Sequence, residues 1–435
     1  MSVKKNYPPR FWPALVIFSL IGQVAWVVEN MYFNVFVYKM FHASAEAISA
    51  MVAASAVAAT LTTVVIGALS DKIGRRKLFI CGGYILWGIS IACFSLLRMD
   101  LLEPLFPSTV AAMSAGVSLT IALDCVMTFF GSSANDACFN AWLTDATNES
   151  GRGAAEGINA MMPLVAILVV FGGFMAFDLD KQQSWTAIFL IIGGVVLLIG
   201  LLGLWLIHEV PSVHPENRRF WGNIFYGFRP SVVKQNPMLY LTLLCFAVFN
   251  ISIQVFMPYL ILYYEVSLQM SNYVLIMAPA ILLASVVTAF YGRLYDKAGF
   301  SRSLLPSLAM LCAGYVVLFC FKQGAAVFIG SLLMMCGYLT GMAVFGAMVR
   351  DNTPSGKAGM FQGLRIVGQV LVPGVIGPAI GAAVLANAET YLNNDGTTSF
   401  IPNQNIFLAA LAVIAVLAVV LIPTLRLLKK EKTDA

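Results

Sequence analysis

The stretch "GALSDKIGRRK", from Gly67 to Lys77, places five charges within eleven residues. Twenty uncharged residues, 47–66, precede Gly67, and twenty more, 78–97, follow Lys77. An apolar run of about 20 residues is long enough to cross a bilayer as an α-helix. We therefore predict that this stretch is a short basic loop between two membrane-spanning helices.

The same alternation of apolar runs and short polar breaks continues along the whole chain. Of its 435 residues, 60% are apolar and 11% are charged, whereas soluble domains average about 25% charged residues. Backbone groups in lipid must bond to one another, and runs of this length do so as helices. The pattern predicts an all-α integral membrane protein, and we expect even its first run, which exceeds a signal-peptide core, to remain as a helix. The twelve predicted spans are residues 12–37, 47–69, 78–97, 118–144, 157–177, 185–207, 237–263, 270–291, 303–321, 325–349, 366–387 and 405–425.

Basic residues are distributed unequally between the two sides of this topology. Only Lys39, Arg98, Lys181 and Lys322 fall on one side, and the other 22 of the 26 fall on the opposite side. By the positive-inside rule, both termini are expected in the cytoplasm, with the chain crossing the cell (plasma or inner) membrane repeatedly. The net charge of +5 is explained by this topology, so no nucleic-acid partner is expected.

Two pairs of internal repeats divide the chain into halves. "GRLYDKAGFSR", from Gly292, repeats the opening stretch 225 residues later, and "DNTPSGKAGMFQG", from Asp351, repeats "DATNESGRGAAEG", from Asp145. We predict two parallel six-helix halves, 1–207 and 237–435, joined by a cytoplasmic linker at 208–236. Halves of this kind are related by an axis along the membrane normal and bind substrate between them.

The opening stretch also carries a family signature. Its residues match the pattern G-x-L-x-D-[RK]-x-G-R-[RK], and the chain thereby resembles the major facilitator superfamily of transporters. The resemblance implies twelve helices, alternating access and a gate latch, in which Asp71 faces a helix N-terminus of the other half and Arg75 pairs with an acid across the cytoplasmic seam. The implied gating residues are Gly67, Asp71, Arg75, Arg76, Asp145, Asp296, Asp351 and Arg365.

Three further stretches resemble one branch of that family. "GQVAWVVENMYFNV", "NDACFNAWLTD" and "RDNTPSGKAGMFQGLRIVGQVLVPGVIGPAIG" are similar to the glycoside–pentoside–hexuronide cation symporters and their sucrose-type relatives. This resemblance implies that Asp136 occupies the position of a cation-site carboxylate. The second span, with "AATLTTVVIG", lacks the carboxylates that the melibiose branch places there. A proton is therefore favoured over sodium as the coupling ion.

Three acidic residues, Glu29, Asp124 and Asp136, lie within predicted spans, whereas all basic residues lie in loops or at span ends. An ionisable group inside a bilayer costs several kcal/mol and is a candidate for ion or proton passage. Desolvation without a basic partner raises the pKa of a carboxyl group, which then exchanges protons near neutral pH. The three acids are the predicted coupling residues, with Asp136 near the midplane and Asp124 twelve residues farther out, at the outer rim.

Uncharged polar and aromatic residues accompany these acids. Because no Arg or Lys lies deep in a span, an anionic substrate is disfavoured. Amides beside aromatic faces suit a small neutral polyhydroxyl solute, such as a sugar or glycoside, although polar residues also join helices. The candidate substrate-binding residues are Gln23, Trp26, Asn30, Asn34, Asn140, Trp142, Asn250 and Gln254.

Other classes of protein fit the sequence less well. The alternative is a proton-coupled multidrug efflux antiporter for lipophilic cations, but its characteristic Gly-Pro run is missing beside Gly172 and Gly173. A channel or receptor does not account for the repeats. An enzyme is disfavoured because there is no Walker loop, no embedded Ser-His pair and no His/Cys ligand cluster, and no cofactor or metal is expected.

The latch interpretation predicts the behaviour of one variant. The Asp71→Asn variant is expected to insert into the membrane normally but to transport its substrate much more slowly, because the cytoplasmic gate loses an electrostatic contact. Uptake rates per inserted molecule would be compared with the wild type. Wild-type rates in the variant would rule out a latch role for Asp71.

Overall fold

The computed structural model describes residues 9–147, 149–209, 226–270, 272–354, 358–393 and 395–434. Within them, twelve helices are long and apolar enough to cross a membrane, which confirms the predicted number of spans. Helices 1 to 12 occupy Phe11–Phe41, Ala45–Ile73, Arg76–Leu96, Thr109–Ala146, Gly157–Phe174, Gln182–Leu206, Pro237–Ser267, Val274–Tyr291, Leu294–Cys320, Gly324–Asp351, Gly363–Leu385 and Asn405–Lys429. Three of these helices continue beyond the spans given. Helix 5 begins at Glu149, the short helix Ala358–Ile366 leads into helix 11, and helix 12 ends at Asp434.

Several helices contain irregular turns, and short helical segments occur in the loops. The 3₁₀ turns are Phe94–Leu96, Glu103–Leu105, Tyr226–Phe228 and Met257–Tyr259. The short α-helices outside the spans are Met99–Leu102 and Pro230–Gln235. The π-helical segments are Val28–Phe33, Ser132–Phe139, Tyr263–Ser267 and Val367–Leu371.

The two copies of the basic stretch share one backbone feature. Helix 2 ends at Ile73 and helix 3 begins at Arg76, so the turn is much tighter than the predicted loop. Gly74 in that turn has φ 72°, and Gly299, 225 residues later, has φ 77°. Glycine adopts positive φ without the clash that a Cβ would cause. The second copy does not form an open loop either, because one helix runs from Val274 up to Gly299, whose φ of 77° and ψ of 177° are not helical, and another runs from there to Cys320.

A small β-hairpin lies between helices 11 and 12 and departs from an entirely helical fold. Strands β1, Thr390–Leu392, and β2, Thr398–Phe400, pair antiparallel with Tyr391 opposite Ser399. The Asn393 side chain donates to the hydroxyl oxygens of Thr397 and Ser399 and closes the turn.

The chain packs as two compact units. The first comprises the described residues of Met1–Ala43 and Val57–Phe220, and the second those of Ser44–Ala56 and Trp221–Ala435. Helix 2 therefore contributes its first residues to the second unit and the remainder to the first. Within the second unit, the hydroxyl of Tyr259 lies 3.0 Å from the Ala45 carbonyl oxygen and 3.2 Å from that of Pro378.

Local ion pairs order the loops of the first unit. Arg98 donates to both carboxylate oxygens of Asp100, at 2.9 and 2.6 Å, and these hydrogen bonds lower the pKa of the Asp100 carboxyl. Lys181 lowers the pKa of Asp178 in the same way, and Lys39 pairs with Asp180 at 2.9 Å. All of these charges except that of Lys39, which lies near the end of helix 1, are outside the apolar spans, where water stabilises them.

Helices 3 and 6 of the first unit approach each other through small residues. A Cβ placed on Gly193 would lie 2.6 Å from the backbone nitrogen of Ala92 and 2.6 Å from the carbonyl oxygen of Gly88. Small residues permit such backbone contact between membrane helices, where packing replaces the hydrophobic driving force. The neighbouring Gly194 has open space at the corresponding position.

These adjacent glycines form a matched pair for a stability test. Gly193→Ala is expected to destabilise the first unit by about 1–3 kcal/mol, because the added methyl group separates helices 3 and 6. Gly194→Ala is expected to leave stability unchanged or to raise it by up to about 1 kcal/mol, because alanine favours helix. Denaturant unfolding of the purified variants in detergent would measure both effects. Equal effects of the two substitutions would contradict this account of the helix contact.

Candidate functional site

The candidate acids of the first unit lie in or beside irregular helix. Glu29 lies in the π-helical segment Val28–Phe33, and Asp136 lies in the segment Ser132–Phe139. A π-helical turn inserts an extra residue and turns the following side chains to a different face, and such turns are frequent at functional sites. The helix propensities of the residues did not predict these π-helical turns.

Asp136 is half-buried and surrounded by hydrogen-bond donors. Ser132 Oγ donates to its Oδ2 at 3.2 Å, and Asn135 Nδ2 donates to its Oδ1 at 3.1 Å. Behind this pair, the hydroxyl of Tyr84 on helix 3 lies 2.9 Å from Asn135 Oδ1. Donors of this kind stabilise a charged carboxylate, so Asp136 is well suited to accept hydrogen bonds.

Polar residues of helices 1 and 4 adjoin Asp136 on the first unit. The Trp26 ring reaches helix 4, where a Cβ on Gly131 would lie 2.9 Å from it, and its indole N–H has no hydrogen-bond partner among the described residues. Asn30 Nδ2 donates to the Trp26 carbonyl oxygen at 2.8 Å, and Asn140 Nδ2 donates to that of Asp136 at 3.2 Å. Asn30 and Asn140 are exposed. The term polar face is used below for Gln23, Trp26, Asn30, Asp136 and Asn140.

Trp26 has an aromatic partner that holds its ring in place. Its centroid lies 5.0 Å from that of Trp87 on helix 3, and the planes are tilted by 47°. Trp87 is fully buried, whereas Trp26 remains partly accessible. The polar face therefore combines a supported aromatic ring with a carboxylate and amide groups.

Glu29 and Asp124 form a second acidic location in the first unit. These residues are 7% and 2% exposed, so Asp124, which the sequence predicts at the outer rim of its span, is buried within the first unit. Thr128 Oγ1, one helical turn after Asp124, donates to Glu29 Oε1 at 2.9 Å. Helix 1 therefore covers this part of helix 4.

The structure places the remaining predicted substrate residues in other surroundings. Asn34 is buried and donates to the Asn30 carbonyl oxygen at 3.2 Å. Trp142 is 1% exposed, and its indole N–H already donates to the His208 carbonyl oxygen at 2.9 Å, so this donor is not available to a ligand. In the second unit, Asn250 Nδ2 donates to the Phe246 carbonyl oxygen at 3.0 Å, and Gln254 packs against Gly377.

The repeated motifs meet within each unit. In the first, buried Arg76 contacts Asp71 at 2.8 Å and Asp145 at 2.7 Å, while the neighbouring Arg75 is exposed. Gly67 lies near these groups in sequence, and a Cβ on it would be 3.8 Å from that of Ala137. The basic stretch is thus joined to the end of helix 4 by Arg76, a residue to which sequence reasoning gave no pairing.

Among the described side chains of the second unit, a neutral donor makes the corresponding contact. The Tyr295 hydroxyl donates to Asp351 Oδ2 at 2.6 Å, and Asp296 is exposed. Arg365 Nε donates to Gln369 Oε1 at 3.3 Å on helix 11. The two motif copies therefore make the same kind of loop-to-helix contact with different chemistry.

Comparison with known proteins identifies the family of this arrangement. The model of the Major Facilitator Superfamily matches residues 14–337. The chain belongs to this superfamily. No curated protein sequence matches it.

Solved structures of other superfamily transporters share the fold at low sequence identity. The nucleoside transporter NupG is 11% identical and superimposes with a TM-score of 0.68, covering 95% of this chain and 98% of its own. A D-xylose-proton symporter is 13% identical with a TM-score of 0.67, covering 94% and 97%. A bacterial homolog of the human lysosomal transporter Spinster, in an inward-facing and occupied conformation, is 14% identical with a TM-score of 0.64, covering 97% and 98%. The chain is therefore a multi-pass membrane transporter of this superfamily rather than an enzyme.

Four residues that support the site were missed from the sequence. They are the hydroxyl donors Ser132 and Thr128, the buried Tyr84, and Trp87 behind Trp26. Ser132 and Thr128 lie one turn from Asp136 and Asp124, and this i, i+4 spacing was a usable signal. Tyr84 and Trp87 come from helix 3, and no local pattern links them to helices 1 and 4.

The contacts of Arg76 lead to a test with its neighbour as control. Arg76→Met is expected to destabilise the first unit by about 1–2 kcal/mol, because the accessible carboxylates of Asp71 and Asp145 lose their common partner. Arg75→Met is expected to change stability by less than about 0.5 kcal/mol, because Arg75 is exposed. Thermal unfolding of both variants in the same detergent would compare them. A larger loss for Arg75→Met would contradict the arrangement described.

Proposed function

We propose that this protein is a secondary active transporter that moves a small neutral polar solute, a sugar or glycoside, by alternating access coupled to a proton. The polar face of the first unit carries this proposal. A sugar presents hydroxyl groups along its edge and C–H bonds on its face, and it requires donors, acceptors and an aromatic surface together. The polar face supplies all three, with Asp136 as acceptor, the amides as donors and acceptors, and Trp26 as the aromatic surface.

The protonation chemistry of the site supports a neutral rather than an anionic solute. Among the described side chains of the polar face, the only ionisable group is the acid Asp136. A carboxylate that already accepts bonds from Ser132 and Asn135 repels a second anion and attracts hydroxyl donors. We assign Asp136 to solute contact and retain Asn250 and Gln254 of the second unit as further candidates.

The resemblance to the glycoside–pentoside–hexuronide branch agrees with this solute class. Two structurally similar proteins, a nucleoside transporter and a D-xylose-proton symporter, agree with it as well. Nucleosides and xylose are both hydroxylated and uncharged. We place the protein in the cell membrane with both termini cytoplasmic, on the distribution of basic residues. A proton is preferred to sodium as the coupling ion, since the second span lacks carboxylates.

Exchange in proteoliposomes tests the solute class directly. Purified protein would be reconstituted and assayed for counterflow of D-xylose, sucrose, methyl β-galactoside, uridine and the cationic dye ethidium. We expect exchange of one or more neutral solutes, and accumulation of the same solute when an inward proton gradient is imposed. Movement of ethidium alone would overturn the proposal in favour of the multidrug antiporter. Absence of any exchange by folded protein would also overturn it.

The role of Asp136 can be tested on the solute that exchanges best. Asp136→Asn is expected to weaken its binding by about tenfold or more, because a hydrogen bond to a charged acceptor contributes about 1.5–3 kcal/mol. Ser118→Ala, an exposed hydroxyl on the same helix, serves as control and should bind normally. Isothermal titration calorimetry would measure both. Normal binding by Asp136→Asn, combined with lost proton-driven accumulation, would instead make Asp136 the coupling acid.

A further inference from the structure

Two buried carboxyl groups of the first unit lie together at one place between helices 1 and 4. Glu29 comes from the π-helical segment of helix 1, and Asp124 lies on helix 4. The two carboxyls interact electrostatically, and Thr128, one turn from Asp124, donates to Glu29. Thr128 and Glu29 are 99 positions apart in the sequence, so this contact arises only from the packing of helices 1 and 4.

One oxygen of this pair has no donor. Asp124 Oδ1 is buried, and within the described part of the chain it has no hydrogen-bond partner. Asp124 as a whole is 2% exposed. A buried polar atom without a partner costs about 1–3 kcal/mol, and more when it is charged. A proton placed on the pair removes one charge and supplies a donor at the same time.

Other titratable groups lie on the helices packed around the pair. The Cys125 thiol on helix 4 interacts with both carboxyls. On helix 1, Lys39 pairs with Asp180, and the Tyr32 ring packs against Phe174 at 4.0 Å. On helix 3, the Tyr84 hydroxyl contacts the Phe18 carbonyl oxygen and Asn135, and Cys81 and Cys93 are free thiols.

Two neighbouring ionised carboxyls in this apolar interior would repel each other strongly, because the low local dielectric screens them poorly. Groups that interact in this way titrate as a unit, and protons leave the pair in two separated steps. Between those steps the pair carries one proton and one negative charge.

We propose that Glu29 and Asp124 jointly bind a single proton between helices 1 and 4, and that this is the coupling ion of the transport cycle. The assignment to coupling rests on the proposed function, whereas the binding of one shared proton does not. This assignment gives the ion and the solute different sites, because the pair holds the proton and Asp136 contacts the solute. Asn30 follows Glu29 directly and belongs to the polar face, so movement at the pair is transmitted to the solute-contact region through one peptide bond.

Infrared spectroscopy of the reconstituted protein tests this inference without any solute. A protonated buried carboxyl gives a C=O stretching band that is separate from amide and carboxylate bands and shifts in D₂O. Spectra would be recorded from mildly acidic to mildly alkaline pH for the wild type, Glu29→Gln, Asp124→Asn and the double variant. Asp136→Asn serves as the matched acid-to-amide control, and each variant is first checked for folding by thermal unfolding.

We expect the wild type to show a titrating band from the pair, and this band should persist in Asp136→Asn. In either single variant of the pair the band should disappear at lower pH than in the wild type, because the remaining carboxyl no longer has a negative neighbour. The band should be absent from the double variant. If one of the two single variants does not fold, the other is sufficient for the test.

Three results would overturn the inference. An unchanged titration in Asp124→Asn would assign the proton to Glu29 alone. Loss of the band in Asp136→Asn would assign the proton to that residue. Loss of the wild-type band when sodium replaces choline as the buffer cation would show that the pair binds sodium instead. Failure of the proposed function is distinguishable, since the spectra would then be as expected while no solute is exchanged.

Discussion

The cost of placing a carboxyl group inside an apolar helical bundle governs the functional part of this molecule. An ionised group there is stable only when donors, an opposite charge or a bound proton compensate it. The first unit contains three such acids and compensates them in different ways. Asp136 receives hydrogen bonds from Ser132 and Asn135, whereas Glu29 receives one from Thr128 and lies against Asp124. The difference in compensation is the physical basis for giving the two locations different roles.

Irregular helix geometry makes these two locations possible. A regular helix repeats its faces every 3.6 residues, so a polar residue placed toward a neighbour brings its i+4 and i+7 positions to the same side. The π-helical segments of helices 1 and 4 interrupt this repeat, and within them Glu29 is buried beside exposed Asn30, and Asp136 is half-buried beside buried Asn135. Neighbouring residues in sequence thereby serve an ion site and a solute-contact face.

The two units show which features of a repeated motif are backbone requirements and which are side-chain chemistry. Gly74 and Gly299 both have positive φ, because the chain reverses or kinks there and a Cβ would clash. The side chains beside them differ. Arg76 joins Asp71 and Asp145 through charge in the first unit, and Tyr295 reaches Asp351 through a neutral hydroxyl in the second. An ion pair and a hydroxyl bond respond differently to salt and desolvation, so the two ends of the repeat are not equivalent electrostatically.

Sequence alone determined the membrane class, the number of helices, the repeated motif and the residues that deserved attention in the spans. These features follow from composition, from the length of the apolar runs and from the spacing of the motifs, which are all local properties of the sequence. An apolar run of sufficient length forms a helix in lipid whatever the rest of the chain does. It also pointed to Asp136 and Glu29, because an acid in an apolar run is conspicuous wherever the helices pack. Tertiary structure decided that Asp124 lies beside Glu29, that Arg76 rather than exposed Arg75 joins the two motifs, and that the Trp142 indole is used within the core. Contacts between helices depend on their crossing, rotation and irregular turns, and the positions that meet are tens of residues apart, so no periodicity within one helix specifies them.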